Sequence, residues 1–310
     1  MKKGQTESSF TWIFVSIAGV LILFFFIAFA FDIISFGSKM NALQVRNILN
    51  EKMNALGFAV NKFESFSFPS DVDVNLHCDQ VSQKMLLSVK ELSDAPANLQ
   101  HIVFSQNNIV GKQFVLWTQN WEYPFLITNY FYLYKPNQKF YLVYDRDSES
   151  RVNQINIPGA IIETVSSIPD TVTNSDVIIF FKNPTNLGLL NQNKVLQVTD
   201  TQVKFINEGT SKDYLSDEML VGAFLVSDSE EYQCLYDKSL TKKNLITDIY
   251  IRKADYLILK TDNCDNIYNQ MKQTLSSYKS LTNKQALDQT KGVLENQNEL
   301  LRGEGCVELF

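Results

Sequence analysis

The 310-residue sequence predicts an α+β or mixed α/β protein behind an N-terminal transmembrane helix. Three observations lead to this prediction: an uncharged apolar run near the N-terminus, alternation of apolar and polar residues in the first half, and apolar residues three or four apart near the end. Alternation indicates strands, and the longer spacing indicates amphipathic helices. We divide the chain into a cytoplasmic tail (1–9), a transmembrane helix (10–31), a stalk helix (32–57), a β-rich aromatic region (58–147) and an α/β region with a long C-terminal amphipathic helix (148–310).

The apolar run extends from Phe10 to Phe31 and contains no charged residue. In a helix it would be about 33 Å long, which is enough to cross a hydrocarbon core of about 30 Å. Within lipid every backbone polar group needs an internal partner, so a single spanning segment is expected to be a helix. The lipid bilayer is therefore the first predicted partner of this chain.

Charged residues around the run predict its orientation. Lys2 and Lys3 precede it, whereas Asp32 follows it and the next basic residue is Lys39. Since basic residues near a span favour the cytoplasm, we expect a single-pass protein of the cell membrane with a cytoplasmic N-terminus and an extracytoplasmic C-terminal part. A cleaved secretory signal is the alternative, because Ala28-Phe29-Ala30 has the form of a cleavage site. The apolar run is longer than the roughly 7–15 residues of such signals, which favours an uncleaved anchor.

A short motif before the run gives a third interpretation of the N-terminus. Lys2-Lys3-Gly4-Gln5 ahead of an apolar helix resembles the class III signals of archaeal type IV pilin-like proteins. The resemblance implies cleavage after Gly4 and an apolar helix that serves assembly, although Ser9 stands where such signals carry a glutamate. The remainder of the chain resembles archaeal single-pass envelope proteins with no assigned function.

Composition limits the classes of partner. The net charge is −6, and basic residues are not clustered, which argues against a nucleic-acid partner. Hydrophobic residues make up 45% of the chain and charged residues 20%, as expected for a globular protein rather than a disordered one. An envelope protein partner and a homo-oligomer both remain open.

The four cysteines are Cys78, Cys234, Cys264 and Cys306, and all follow the predicted span. Their spacing is too wide for a zinc site of the C-x₂-C kind. Because an extracytoplasmic compartment is usually oxidising, an even number of cysteines predicts two disulfides, with four buried thiols as the alternative. We favour a Cys234–Cys264 pair, since these cysteines flank one predicted helix, which leaves Cys78–Cys306 as the second pair.

Periodicity predicts the elements of the first half. The stalk helix has one apolar face and ends at Gly57; the face is formed by Ala42, Val45, Leu49, Met53 and Leu56. Strands follow at Val72–Leu76, Met85–Val89, Phe114–Trp117, Phe125–Tyr134 and Phe140–Tyr144. Aromatic residues are dense between Phe104 and Tyr144, which we attribute to core packing. A surface that stacks carbohydrate or peptide is the alternative.

The second half alternates strands with helices. Strands are predicted at Val177–Phe181, Val195–Val198, Val203–Ile206, Leu220–Val226 and Tyr256–Lys260. One helix is expected from Leu235 to Ala254, and a long helix from Asp265, as its cap, to Arg302, with Gly303 as its stop. We expect the apolar stripe of the long helix to pack on its own domain. The tail Cys306–Phe310 alternates and is predicted to add an edge strand beside Val72–Leu76.

Chemical motifs are few. Asp145 and Asp147 directly follow a predicted strand, an arrangement similar to the catalytic carboxylates of haloacid-dehalogenase-type phosphatases and metal-dependent glycosyltransferases. We interpret them as turn residues, because Asp stabilises turns. Asp71-x-Asp73-x-Asn75 lacks the glycine and glutamate of a calcium loop. His77 and Cys78 are adjacent, and neighbours on a strand point to opposite sides.

These observations predict an envelope protein with a structural, binding or assembly role. We name no catalytic residue, no cofactor and no metal ligand. A pilin-like subunit that is processed after Gly4 is the first alternative. An envelope hydrolase or transferase that uses Asp145 and Asp147 is the second.

Overall fold

A computed structural model describes residues 17, 19–24, 26–27, 40–57, 59, 61–93, 95–169, 171–173, 175–184, 190, 193–260 and 263–310. Residues 17, 19–24 and 26–27 are helical. Within the described residues no helix is long and apolar enough to cross a membrane. The predicted tail and most of the run from Phe10 to Phe31 lie outside the described residues, as do residues 32–39 of the predicted stalk.

The fold class is α+β, as predicted, with two mixed six-stranded sheets. The first sheet has the order β3-β2-β1-β5-β6-β4 and contains β1 (Phe63–Asp79), β2 (Lys84–Val89), β3 (Ala97–Leu99), β4 (Ile102–Ser105), β5 (Asn108–Glu122) and β6 (Leu126–Tyr134). The second has the order β12-β11-β10-β9-β7-β8 and contains β7 (Lys139–Val143), β8 (Ile161–Val165), β9 (Val177–Phe180), β10 (Lys194–Val198), β11 (Gln202–Phe205) and β12 (Thr210–Asp213).

The helices are α1 (40–55), α2 (Glu149–Val152), α3 (Asp217–Leu225), α4 (Ser229–Ile258), α5 (Asp265–Tyr278) and α6 (Lys284–Gly303), with a short 3₁₀ helix at Lys90–Leu92. Helix α1 buries Ala42, Leu49 and Met53 in the main core, which confirms the predicted apolar face. Helices α3 and α4 contact strands of the first sheet. Helix α4 also contacts β12, and Lys194 of β10 donates to carbonyls of α3, so these helices link the two sheets.

The first sheet follows the alternation in the sequence. Strands β1 and β5 are antiparallel, with a register shift between Ser67 and Val72. Val74, Leu76 and Cys78 are buried in β1 while the residues between them are more exposed, as a strand with one buried face requires. Each predicted strand of the first half matches an observed strand of one of the two sheets, although Phe125 and Tyr144 lie one residue outside β6 and β7.

The second sheet determines where a site can form. Strands β8, β7, β9 and β10 are mutually parallel in that order, and β11 and β12 extend the sheet in antiparallel fashion. Strand β8 lies on one side of β7 in the sheet and β9 lies on its other side, so the chain reverses its direction across the sheet after β8. In open α/β sheets such a reversal leaves a crevice outside the carboxyl ends of the strands.

Two predicted strands are helical. Leu220–Val226 lies almost entirely in α3, so that prediction was wrong. Every residue from Met219 to Leu225 is buried, and a helix buried on all sides has no apolar periodicity to reveal it. Gly222 lets α3 approach the sheet, since an added Cβ would lie 2.4 Å from the Phe104 ring. The predicted strand Tyr256–Lys260 is also wrong, because α4 contains the predicted helix and continues to Ile258.

The single C-terminal helix predicted from Asp265 to Arg302 is two helices, α5 and α6. Residues 279–283 separate them, and the side chain of Asn283 caps α6 by accepting the Ala286 N–H at 2.9 Å. Asp265 is not the cap of α5, because Cys264 occupies that position. The apolar stripe packs on its own domain as predicted; its fully buried members are Met271, Leu275, Tyr278, Leu287, Leu294 and Leu301.

The tail after α6 forms no strand, contrary to the prediction. It lies against the C-terminal helices instead. The Asn298 side chain accepts the Leu309 N–H at 2.7 Å, and the Tyr268 hydroxyl donates to the Val307 carbonyl at 2.7 Å. These hydrogen bonds satisfy the tail backbone without a sheet edge.

All four cysteines form disulfides, which confirms the prediction of two bridges, but the predicted pairing was wrong. The β1–α4 disulfide joins Cys78 to Cys234 with a Cα–Cα distance of 5.9 Å, and the C-terminal disulfide joins Cys264 to Cys306 at 6.3 Å. The predicted Cys234–Cys264 pair fails because a helix rises about 1.5 Å per residue, so the length of α4 places these cysteines tens of ångströms apart. The Cys78–Cys306 pair is excluded in consequence.

Candidate functional site

Three adjoining pockets share Arg151, and the outermost lies at the carboxyl ends of β7, β9 and β10. The inner part has a volume of about 300 Å³, the middle part about 570 Å³ and the outer part about 530 Å³. We call the three together the Arg151 cleft. Its outer part occupies the crevice that the strand order of the second sheet predicts for a ligand site.

The Arg151 side chain is held in place at the centre. Its guanidinium donates to the Thr199 carbonyl at 3.1 Å and to the Tyr214 hydroxyl. It also lies 3.6 Å from Asp200 and 3.9 Å from Asp217. Burial raises the pKa of Tyr214, so this hydroxyl remains protonated and accepts the guanidinium N–H. The cleft therefore has a fixed central guanidinium whose single positive charge faces two carboxylates.

The inner part combines apolar walls with amides. Trp117 of β5 is 5% exposed, and its ring stacks on Tyr132 at 4.6 Å. Leu220 of α3 also lines this part. The Tyr132 hydroxyl lies 2.9 Å from the Glu218 carbonyl and 3.0 Å from Gln119 Oε1, with one proton for the two acceptors, and it fixes the position of the Gln119 amide in the wall. Concave sites with apolar walls and few polar groups are typical of small-ligand binding.

The outer part contains Asp145 and Asp147. Asp145 Oδ1 accepts the Ser148 N–H at 3.1 Å and the Ser148 hydroxyl at 2.7 Å. The hydrogen bond from the Ser148 side chain is the main cause of a lowered pKa at Asp145. Asp145 thus closes a turn after β7, as the sequence interpretation expected. Among the described residues no cluster of histidine, cysteine or carboxylate side chains is arranged to hold a metal ion.

The cleft is acidic overall. Acidic side chains outnumber basic ones by six to two; they are Asp145, Asp147, Asp200, Asp217, Glu218 and Asp288 against Arg151 and Lys284. Lys284 lies 3.2 Å from Asp288 and 3.8 Å from Asp217. Walls that carry mainly negative charge raise the local concentration of cations. A positively charged ligand is therefore favoured over an anion.

The remaining sequence candidates lie outside the cleft. His77 faces Glu231, with Nδ1 3.1 Å from Oε2, whereas Cys78 is buried in the β1–α4 disulfide, so they form no thiol–imidazole pair. Asp73 accepts the Asn108 amide at 2.7 Å, and Asp71, Asp73 and Asn75 all lie within strand β1, so they do not form a calcium loop.

The aromatic residues are core residues, as predicted. Seven aromatic residues between Trp117 and Tyr134 are all buried, and the most exposed, Tyr123, is only 7% exposed, so they form no stacking surface; they are Trp117, Trp121, Tyr123, Tyr130, Phe131, Tyr132 and Tyr134.

Sequence reasoning missed Arg151, Gln119 and Glu218 because they come from separate segments and form no motif. Asp200 carried a usable signal, since it follows the predicted strand Val195–Val198 just as Asp145 follows its strand. Comparisons with protein-family models, with curated proteins and with solved structures find no match for this chain.

Proposed function

We propose that this chain is a single-pass membrane protein of the cell envelope whose folded part lies outside the cytoplasm and binds a ligand without catalysis. The main support is that all four cysteines are paired in disulfides. Disulfides persist in oxidising compartments and are rare in the cytosol. The uncharged run from Phe10 to Phe31 supplies the anchor, and Lys2 and Lys3 favour a cytoplasmic N-terminus.

The Arg151 cleft is the proposed binding site. Its inner part has apolar walls at Trp117 and Leu220 and carboxylates at Asp217 and Glu218. This combination favours a small ligand with a positive charge and an apolar body. Its apolar body packs against the walls, and its cationic group lies near the carboxylates.

Two alternatives can be separated from this proposal. An enzyme that uses Asp145 and Asp147 is less favoured, because Ser148 already donates twice to Asp145 Oδ1. The pilin-like alternative depends on cleavage after Gly4, which lies outside the described residues. N-terminal sequencing of the mature protein separates the cases: a start at Met1 indicates an anchor, a start at Gln5 a pilin-like subunit, and a start near Phe31 a cleaved signal.

Protease accessibility tests the proposed topology. Protease added to intact spheroplasts should digest the folded part, and the full chain should stay in the membrane pellet after carbonate extraction. Protection that is lost only on lysis would mean that the orientation is reversed. Full release by carbonate would contradict the anchor.

Calorimetric titration of the full chain in detergent tests the cleft. The probe is phenylethylammonium, and the matched anion is phenylacetate. We expect the cation to bind and the anion not to bind, and Glu218→Gln should weaken the cation by about fivefold, since one partly screened charge contributes about 1 kcal/mol. Asp71→Asn, an exposed carboxylate on β1, is the control and should leave affinity unchanged. Preferred binding of phenylacetate would contradict the assigned ligand class.

A further inference from the structure

Helix α4 has a second apolar face that the fold leaves exposed. Leu245 and Ile249 are each 56% exposed, Tyr256 is 59% exposed, and Leu259, the residue that caps the helix, is 82% exposed. We call these four side chains the α4 stripe. Thr247, Ala254 and Leu257 on the other side of the same helix are buried.

The spacing of the α4 stripe is that of a helix–helix seam. The four residues of the stripe lie four, seven and three positions apart. Arg252 lies inside the interval of seven, so the series 245, 249, 252, 256 and 259 has alternate steps of four and three. This is the heptad pattern of two-stranded coiled coils. The stripes of α5 and α6 are buried inside the domain, and no described element covers the α4 stripe.

Charges beside the stripe indicate what covers it. On one flank of the stripe, Asp248 and Asp255 come directly before Ile249 and Tyr256. On the other flank, Lys253 and Lys260 come directly after Arg252 and Leu259. In a parallel pair of helices each such acidic residue faces the residue five positions later on the partner. Asp248 then meets Lys253, whose ammonium also donates to the Leu309 carbonyl of its own chain at 2.6 Å, and Asp255 meets Lys260. An antiparallel pair would place Asp248 against Asp255, where like charges repel.

Both carboxylates can make this contact. Asp248 Oδ1 accepts from Lys279 and Asp255 Oδ1 accepts from Lys272, so one oxygen of each is already used within the chain. Their side chains nevertheless remain 45% and 47% exposed, which leaves Oδ2 accessible to a second copy. Arg252 within the seam fixes the register at a cost in affinity, as single polar seam residues do.

We propose that the α4 stripe is the interface of a parallel homodimer. The stripe is about 22 Å long, or roughly two heptads, which is short for a stable pair in dilute solution. Tethering to one membrane raises the effective concentration of a second copy, and this step rests on the proposed anchor. The dimer is therefore a property of the full chain in a membrane.

Photo-cross-linking of the full chain in vesicles tests the interface. The photoreactive residue benzoylphenylalanine replaces Tyr256, and samples are reduced before electrophoresis. We expect a cross-linked band at twice the chain mass. Ile249→Glu should reduce this band at least tenfold, whereas Val81→Glu, at a hairpin position that is 95% exposed, should leave it unchanged. No band at twice the mass, or a band that survives Ile249→Glu, would overturn the proposal.

The cross-linked peptides test the parallel direction. Trypsin cuts after Lys243, Arg252, Lys253 and Lys260, so it separates residue 249 from residue 256. A parallel pair should link two copies of peptide 254–260 to each other. A link from 254–260 to 244–252 would indicate antiparallel helices and refute the parallel interface. Protease accessibility on the same vesicles reports separately on the anchor, so failure of the two proposals can be distinguished.

Discussion

Replacement of Lys243 by methionine should destabilise the protein, because this buried lysine binds the backbone at the end of α5 and in the segment between α5 and α6. Its Nζ donates to the Tyr278 carbonyl at 3.0 Å, to the Lys279 carbonyl at 3.4 Å and to the Leu281 carbonyl. These carbonyls lie at the C-terminus of α5, where the helix dipole favours a cation. Methionine has similar length and no donor.

The magnitude follows from two opposing terms. Three hydrogen bonds from a charged donor contribute about 5 kcal/mol in total. Burial lowers the pKa of Lys243 from 10.5 to about 8. Keeping the ammonium buried therefore costs about 3 kcal/mol at neutral pH. Lys243→Met should lower the free energy of unfolding by about 2 kcal/mol at pH 7.

The sign of the pH dependence is a second consequence. Between pH 8 and pH 10.5 the unfolded chain keeps the Lys243 proton while the folded protein has lost it, so unfolding takes up a proton. The free energy of unfolding therefore rises with pH in this window. Burial lowers the pKa of Lys194 to about 7 and that of Lys238 to about 8, which adds to the rise, so Lys243→Met should make the rise smaller without abolishing it.

Urea unfolding of the full chain in detergent, followed by near-ultraviolet circular dichroism at pH 7 and pH 9, measures both effects. Lys272→Met is the control, because Lys272 makes a partly exposed ion pair with Asp255 that should contribute less than about 1 kcal/mol. A Lys243→Met variant as stable as the wild type, or a wild type that loses stability from pH 8 to pH 10, would refute this reasoning.

Three further predictions concern stability. Gly222→Ala should lower the free energy of unfolding in urea by about 1–3 kcal/mol, since the added Cβ would lie 2.4 Å from the Phe104 ring and helix α3 would have to shift. Gly209→Ala is the comparison for backbone strain alone, because no atom lies within 4 Å of the Cβ that it adds. Peptide mapping without reduction should find Cys78–Cys234 and Cys264–Cys306. Replacing both cysteines of a bridge by serine should lower the free energy of unfolding by about 5 kcal/mol for the first bridge and by about 4 kcal/mol for the second. Equal losses, or a larger loss for the second bridge, would contradict the loop-entropy estimate. Burial raises the pKa of Glu231, so the folded protein keeps this proton at pH values where the unfolded chain has lost it. The free energy of unfolding should therefore fall as pH rises through that range. Glu231→Gln should remove this fall, and a variant with the same pH profile as the wild type would contradict the assignment to Glu231.

Local patterns were sufficient for most strands and for the exposed helices. Alternation located β1 because only one of its faces is buried, and the burial of Val74 and Leu76 reproduces that pattern. The pattern failed at α3, where burial on all sides removes the polar face on which the helical signal depends. It also failed between α5 and α6, because the break is stabilised by Lys243, which is distant in sequence.

Disulfide pairing and the cleft depend on tertiary structure. The existence of the bridges was predicted from the even number of cysteines and the expected compartment. The pairing depended on the full length of α4, which extends beyond the segment that the sequence predicts. Arg151, Trp117 and Asp217 meet only because the two sheets and α3 come together. No local spacing contains that information.

Thiol labelling in spheroplasts tests the central claim most directly, which is that the disulfide-bonded domain lies outside the cytoplasm. A membrane-impermeant maleimide should label no cysteine of the full chain before reduction, even after denaturation of the purified protein. After treatment of intact spheroplasts with a membrane-impermeant phosphine and denaturation, we expect all four cysteines to be labelled. Four thiols that react on denaturation without any reductant would contradict the account.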